Sequence, residues 1–184
     1  MNRLASPSQL RASLLRWAVF LVPLILMLGY GSSLMAGSSE DNVWFAALEK
    51  PAIYPPGYLF GIVWSALYGM IGLAFAGICS AWGSRMRAWA IAVFLLQLAA
   101  NLAWSPVFFA SHQIDAAMGV IAALDVLVVI CIWLFWPIRR WAALLLVPYL
   151  AWILFASVLN WQFLQLNPNA AEVQPASSTT RIEL

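Results

Sequence analysis

Charge is scarce in this chain. Only 9% of its 184 residues are Asp, Glu, Lys or Arg, against 64% hydrophobic residues and a mean hydropathy of +0.87. A soluble domain needs a solvated surface that this composition cannot supply. The net charge of +2 says little by itself, and no nucleic-acid partner is expected. Histidine occurs once, at His112, and cysteine twice, at Cys79 and Cys131. Both cysteines lie inside apolar runs with no His or Cys at ligand spacing, so no metal site is expected and they read as small apolar filler. No nucleophile, metal constellation or acid/base pair is visible. Internal repeats are also missing, and an odd number of apolar spans argues against the paired halves of many secondary transporters.

Long apolar runs are what the chain has instead. A transmembrane helix needs roughly 20 apolar residues, and five segments reach that: about 14–35, 58–81, 87–109, 115–136 and 141–163. The fold expected is therefore all-α, an integral membrane bundle of five transmembrane helices over residues 14–163. Residues 1–13 form a polar arm with Arg3 and Arg11, and residues 164–184, rich in Ala, Ser, Thr, Asn and Pro, read as a disordered tail. A signal peptide is the rival reading of the first span, but its apolar run exceeds the ~7–15 residues of such a segment. Small residues at four-residue spacing, Gly57/Gly61 and Ala99/Ala103, permit close helix approach within one monomer or between two.

Basic residues set the expected orientation. Arg3, Arg11 and Arg16, Arg85 and Arg87, and Arg139 and Arg140 fall on one side, seven in all, whereas Lys50 and Arg181 fall on the other. The positive-inside rule places the amino terminus in the cytoplasm, with the long loop at 36–56 and the carboxyl tail opposite.

The stretch KPAIYPPGYLFGIVWSALY, from Lys50 to Tyr68, turns that loop into the second span. Pro51, Pro55 and Pro56 stiffen the chain ahead of Gly57, because proline fixes its own φ and pushes the preceding residue toward extended geometry. Trp64 and Tyr68, four residues apart, share a face, with Trp64 about 9 Å below the helix start at ~1.5 Å per residue.

Most of the eleven tryptophans fit the role of interfacial anchors. Trp64, Trp104 and Trp152 lie deeper, roughly 6 to 16 Å below the outer boundary, and are expected to converge there. Polar residues point to the same region. Gln97, Asn101, Trp104 and Phe108 make one stripe on the third span, and Tyr149, Trp152, Ala156 and Asn160 make another on the fifth. Hydrocarbon satisfies no amide or phenol, so these groups face other helices, a water pocket or a ligand. Asp125, near the middle of the fourth span, is expected to be protonated and hydrogen-bonded to a neighbouring helix, with a proton relay as the other reading.

Three segments in order, WFAALEKPAIYPPGYLFGIVWSALYGMIG, QLAANLAWSPVFFA and PYLAWILFASVLN, resemble the TspO/MBR family: bacterial tryptophan-rich sensory proteins and the mitochondrial translocator protein, or peripheral benzodiazepine receptor. The resemblance covers nearly all of residues 17–163. It implies a five-helix bundle, commonly a homodimer, with a pocket beneath the first loop for porphyrins such as protoporphyrin IX, for sterols and for benzodiazepine-site ligands. Carried over, the ligand-binding residues are Phe45 and Pro55 of the loop, Phe60, Trp64 and Tyr68, then Asn101 and Trp104, then Trp152 and Ala156. No cofactor is required, and porphyrin is the ligand.

The chain departs from the family in three places. The sterol-recognition segment of animal members has Trp161 at its aromatic position and Gln165 and Leu166 where a basic residue is expected. Ala116 replaces a tryptophan found in some members, and His112 sits in the turn before it as a solvated residue. The function the resemblance implies is a membrane receptor or carrier for porphyrins, involved in tetrapyrrole and stress regulation. An alternative is light-dependent porphyrin degradation, with Trp64 and Trp152 as the redox-active side chains. The other is a small-molecule transporter, disfavoured because the spans lack a charged path apart from Asp125.

Overall fold

The computed structural model describes residues 7–172. Arg3, Arg181 and the rest of 1–6 and 173–184 lie outside the described residues. Five helices are long and apolar enough to cross a membrane: α1 (Pro7–Ala36), α3 (Gly57–Cys79), α4 (Arg87–Ser105), α5 (Ile114–Phe135) and α6 (Arg140–Leu166). A short helix, α2 (Val43–Ala47), lies in the loop after α1. The protein is an integral, multi-pass membrane protein. Four spans match the sequence expectation within a few residues; α1 begins seven residues early, so 7–13 continue the helix instead of forming part of a separate arm. At 30 residues α1 is about 45 Å long, against roughly 30 Å of hydrocarbon.

The spans close into a ring in the order α1, α3, α6, α5, α4, with α4 returning to α1. Glycine sets the tightest seam. A Cβ on Gly72 of α3 would stand 2.8 Å from the Cα of Val22 on α1, so only glycine permits this approach. Higher on the same seam the Tyr68 ring lies flat over Gly29. The half of the ring away from the loop is solid, with Phe75 stacked on Phe94 at 3.9 Å and Phe94 on Phe135 at 6.1 Å.

Among the described residues, Arg11, Arg16, Arg85, Arg87, Arg139 and Arg140 fall at the end of the bundle away from the loop at 36–56. Arg87 donates to the carbonyls of Ile78 and Cys79 at the end of α3, where a cation complements the partial negative charge of the helix terminus. Its guanidinium also covers the Trp82 ring at 4.2 Å.

Proline shapes the end of the bundle that carries the loop. Pro106 has no N–H, so the Leu102 carbonyl loses its helical partner; the Ser32 hydroxyl of α1 donates to that carbonyl instead, at 2.6 Å. From Pro106 to Ala110 the helix widens into a π turn, with Ser111 N–H donating to the Pro106 carbonyl. The widened turn presents the adjacent Phe108 and Phe109 to the same space.

Residues 164–172, expected from composition to belong to a disordered tail, hold a defined conformation. α6 runs on to Leu166, and a single 3-10 turn follows at Ala170–Glu172. It is held by the loop it covers. Glu49 N–H donates to Asn167 Oδ1 at 2.9 Å while Asn167 Nδ2 donates back to the Glu49 carbonyl at 3.0 Å. Trp44 Nε1 donates to the Ala170 carbonyl at 2.8 Å.

Candidate functional site

Beneath that loop lies a cavity of 1240 Å³, to which all five spans contribute. Its roof is built from α2 outward. Asn42 caps the helix by accepting from Phe45 N–H at 3.0 Å, and this short turn drives Trp44 and Phe45 inward, leaving them 2% and 3% exposed. Phe45 faces the cavity and meets Phe109 at 5.2 Å and Phe163 at 5.5 Å. Lys50 covers the Phe45 and Tyr54 rings at 5.2 and 5.5 Å. Burial pushes the Tyr54 phenol above its ordinary value, and the carboxylate of Glu40 adds to the shift.

Two aromatic pairs at four-residue spacing form the walls. On α3, Trp64 stacks on Tyr68 at 5.2 Å with 30° between planes; on α4, Trp104 stacks on Phe108 at 5.0 Å and 26°. Phe60 lies one turn above Trp64, and Ala156 of α6 leaves open room opposite.

Polar atoms along this lining are paired in a chain that crosses three helices. Tyr68 OH donates to Asn101 Oδ1 at 2.8 Å, Asn101 Nδ2 to Tyr149 OH at 3.0 Å, and Tyr149 OH to Gln97 Oε1 at 3.0 Å. Trp104 Nε1 donates to Asn160 Oδ1 at 3.1 Å, and Asn160 Nδ2 to the Ile114 carbonyl at 3.0 Å. Interhelical bonding thus accounts for Asn160 and for the Oε1 of Gln97, while Gln97 Nε2 is buried without a partner among the described residues. Of these groups Tyr68, Asn101, Trp104 and Asn160 line the cavity, whereas Gln97 and Tyr149 stand behind it.

Seven of the nine residues expected at a ligand site line this space: Phe45, Phe60, Trp64 and Tyr68, then Asn101, Trp104 and Ala156. Pro55 and Trp152 are not part of the lining. Pro55 belongs to the extended segment that aims the chain into α3. Trp152 faces α3 from the edge of α6, where its ring meets Phe60 at 5.8 Å and 69°, and its buried Nε1 has no partner among the described residues. It backs the wall one layer out. Asp125 also lies outside the cavity; the Ser157 hydroxyl of α6 donates to its Oδ2 at 2.8 Å, and its Oδ1 is buried without a partner among the described residues. His112 is half-buried: its ring stacks on Trp44 at 4.4 Å and 14°, and it does not line the cavity.

Sequence reasoning missed the contribution of α1, from which Leu26, Met27, Gly29, Tyr30 and Ser33 complete the wall. Gly29 was the available signal, since a glycine in a span can mark a close approach by a neighbour, here the Tyr68 ring.

The five spans agree with the comparisons with known proteins. The profile of the TspO/MBR family matches residues 19–166. The chain belongs to the TspO/MBR family. Over 159 residues it is 32% identical to the tryptophan-rich sensory protein of Cereibacter sphaeroides, covering 86% of this chain and 97% of that one. Identity to the tryptophan-rich protein TspO of Archaeoglobus fulgidus is 38%, over 78% of this chain and 92% of the relative. The human translocator protein is 32% identical over 66% of this chain and 73% of its own length. The stretch shared within TspO/MBR proteins thus holds every cavity-lining residue named above.

Proposed function

We propose that this TspO/MBR protein is a receptor or carrier that binds flat, apolar ligands of the porphyrin class in the cavity under the loop. The observation that carries the reading is the pair of stacked aromatic walls, Trp64 on Tyr68 and Trp104 on Phe108, across a vacancy of 1240 Å³. Drug-sized sites usually span about 300–1,000 Å³, so a macrocycle has room. Indole and phenol faces stack on such a ring, while Tyr68 and Asn101 offer a hydroxyl and an amide to fix its orientation. No soluble cofactor is needed for this role.

Titrating protoporphyrin IX into purified protein tests it. Saturable quenching of tryptophan emission is expected, together with a shifted porphyrin absorption band. Linear, unsaturable quenching would contradict the reading. Of Trp64 and Trp152, the pair a photochemical role would use, Trp64 lines the cavity and stands against a bound pigment, whereas Trp152 lies one layer out. Illuminating the saturated mixture addresses that second reading: steady loss of the porphyrin spectrum favours photodegradation, and an unchanged spectrum removes it.

We also propose that two copies associate through α4. Ala99 and Ala103 stand one turn apart, and both are exposed on the surface of that helix. An Ala103→Cys variant in membranes is expected to form a crosslinked dimer on mild oxidation, given that Cys79 and Cys131 are buried. A monomer band alone would sink the dimer.

A further inference from the structure

We propose that the cavity exchanges its ligand with the hydrocarbon of the bilayer, through a slot between α1 and α3, and not with water through the roof. This rests on the reading of the cavity as a ligand site.

The slot is marked by side chains that line the cavity and are also exposed. Met27 and Tyr30 on α1 are 72% and 68% exposed, and Tyr58 and Ile62 on α3 are 69% and 62% exposed. A residue that meets both conditions stands at a mouth. Gly61 stands between them; it too is exposed and lines the cavity, and a Cβ built on it meets nothing within 4 Å. The mouth ends inward where Tyr68 closes over Gly29, and below that Gly72 meets the Val22 backbone.

Depth places this mouth among acyl chains. Ile62 is five residues into α3 and Ser65 eight, about 7.5 and 12 Å below its start at ~1.5 Å per residue. The 23 residues of α3 span about 35 Å around roughly 30 Å of hydrocarbon. A ligand dissolved in lipid therefore meets Met27, Ile62 and the Tyr30 ring at its own depth and passes edge-first to Trp64.

Access from water is opposed in two ways. The roof is latched to the end of α6 by the Glu49 and Asn167 pair and by Trp44 on the Ala170 carbonyl. Where the slot reaches the polar loop, its rim carries Glu40 and Asp41, both exposed and both lining the cavity. A carboxylate-bearing ligand arriving from solution meets like charge there.

Stopped-flow mixing of protoporphyrin IX with protein reconstituted in phosphatidylcholine vesicles tests the route, with dissociation read by dilution into empty vesicles. Gly61→Phe and Met27→Trp narrow the slot from opposite walls, and both positions are exposed, so neither disturbs packing. Both association and dissociation are expected to slow by about tenfold in each. Asn167→Ala, which opens the latch, is expected to leave both rates within about twofold. Unchanged rates in both narrowed variants, or faster exchange in Asn167→Ala, would overturn the proposal while leaving binding intact. Should one variant lose affinity because its new ring fills the seat, the rates of the other decide. Failure of the parent protein to bind at all is a different result, and it removes the ligand reading itself.

Discussion

Trp44→Ala is expected to cost about 3–5 kcal/mol of stability, in the range seen when a large aromatic is deleted from a packed core. Trp44 is 2% exposed, stacks on His112, meets the edge of Phe108 at 5.7 Å and donates its indole N–H to the Ala170 carbonyl. Trp44 thus joins the loop, the turn between α4 and α5, and the chain past α6 at one point. Deleting it leaves a void under the roof and an unpaired carbonyl, and the roof then opens with the segment at 167–172. Trp44→Phe restores most of the volume but not the N–H, so it should recover all but about 1–2 kcal/mol. Thermal denaturation in detergent reads both, and a loss under about 1 kcal/mol for the alanine variant would mean that the roof is not seated as described.

Gly72→Leu has the second-largest expected effect. Its first carbon alone would stand 2.8 Å from the Val22 Cα, 3.1 Å from Cγ2 and 3.3 Å from the backbone nitrogen. Backbone cannot move aside as a side-chain tip can, so α1 has to shift away from α3 along the seam. Overpacking of this kind costs about 1–3 kcal/mol and sometimes more. The shift also carries Met27 and Tyr30 off the cavity wall, so ligand affinity should fall with stability. Gly61→Leu is the matched control on the same helix, since its new side chain enters open space. Equal melting temperatures for the two variants would contradict the seam.

The five spans were legible because length and apolarity decide them, and hydrocarbon leaves a spanning chain no alternative to the helix. Periodicity then gave the faces of α4 and α6 that carry Asn101, Trp104 and Ala156, and the family resemblance put those residues at a ligand site. The same reasoning was too coarse for Trp152. A stripe identifies a face but not its width, and one step of about 100° around α6 separates Ile153, which lines the cavity, from Trp152, which backs Phe60.

The α1 wall was not legible for a related reason. An exposed Met27 or Tyr30 on a lipid-facing helix looks the same in sequence whether or not a cavity opens beside it. His112 and Asn167 were hidden by composition. Polar residues in turns read as solvated, yet one ring stack on Trp44 and one reciprocal pair with Glu49 are enough to order them. Neither contact leaves a periodic trace.

The most direct measurement of the central claim is the protoporphyrin IX titration repeated on Ala156→Trp and Trp161→Phe, followed by porphyrin absorption. Ala156 faces the vacancy, and an indole there occupies the space between the aromatic walls; Trp161 is 52% exposed and does not line the cavity. A ligand held between Trp64 and Trp104 predicts at least about a tenfold loss of affinity for Ala156→Trp, roughly 1.4 kcal/mol, and none for Trp161→Phe. Equal affinity in the parent and in Ala156→Trp would place the ligand somewhere else.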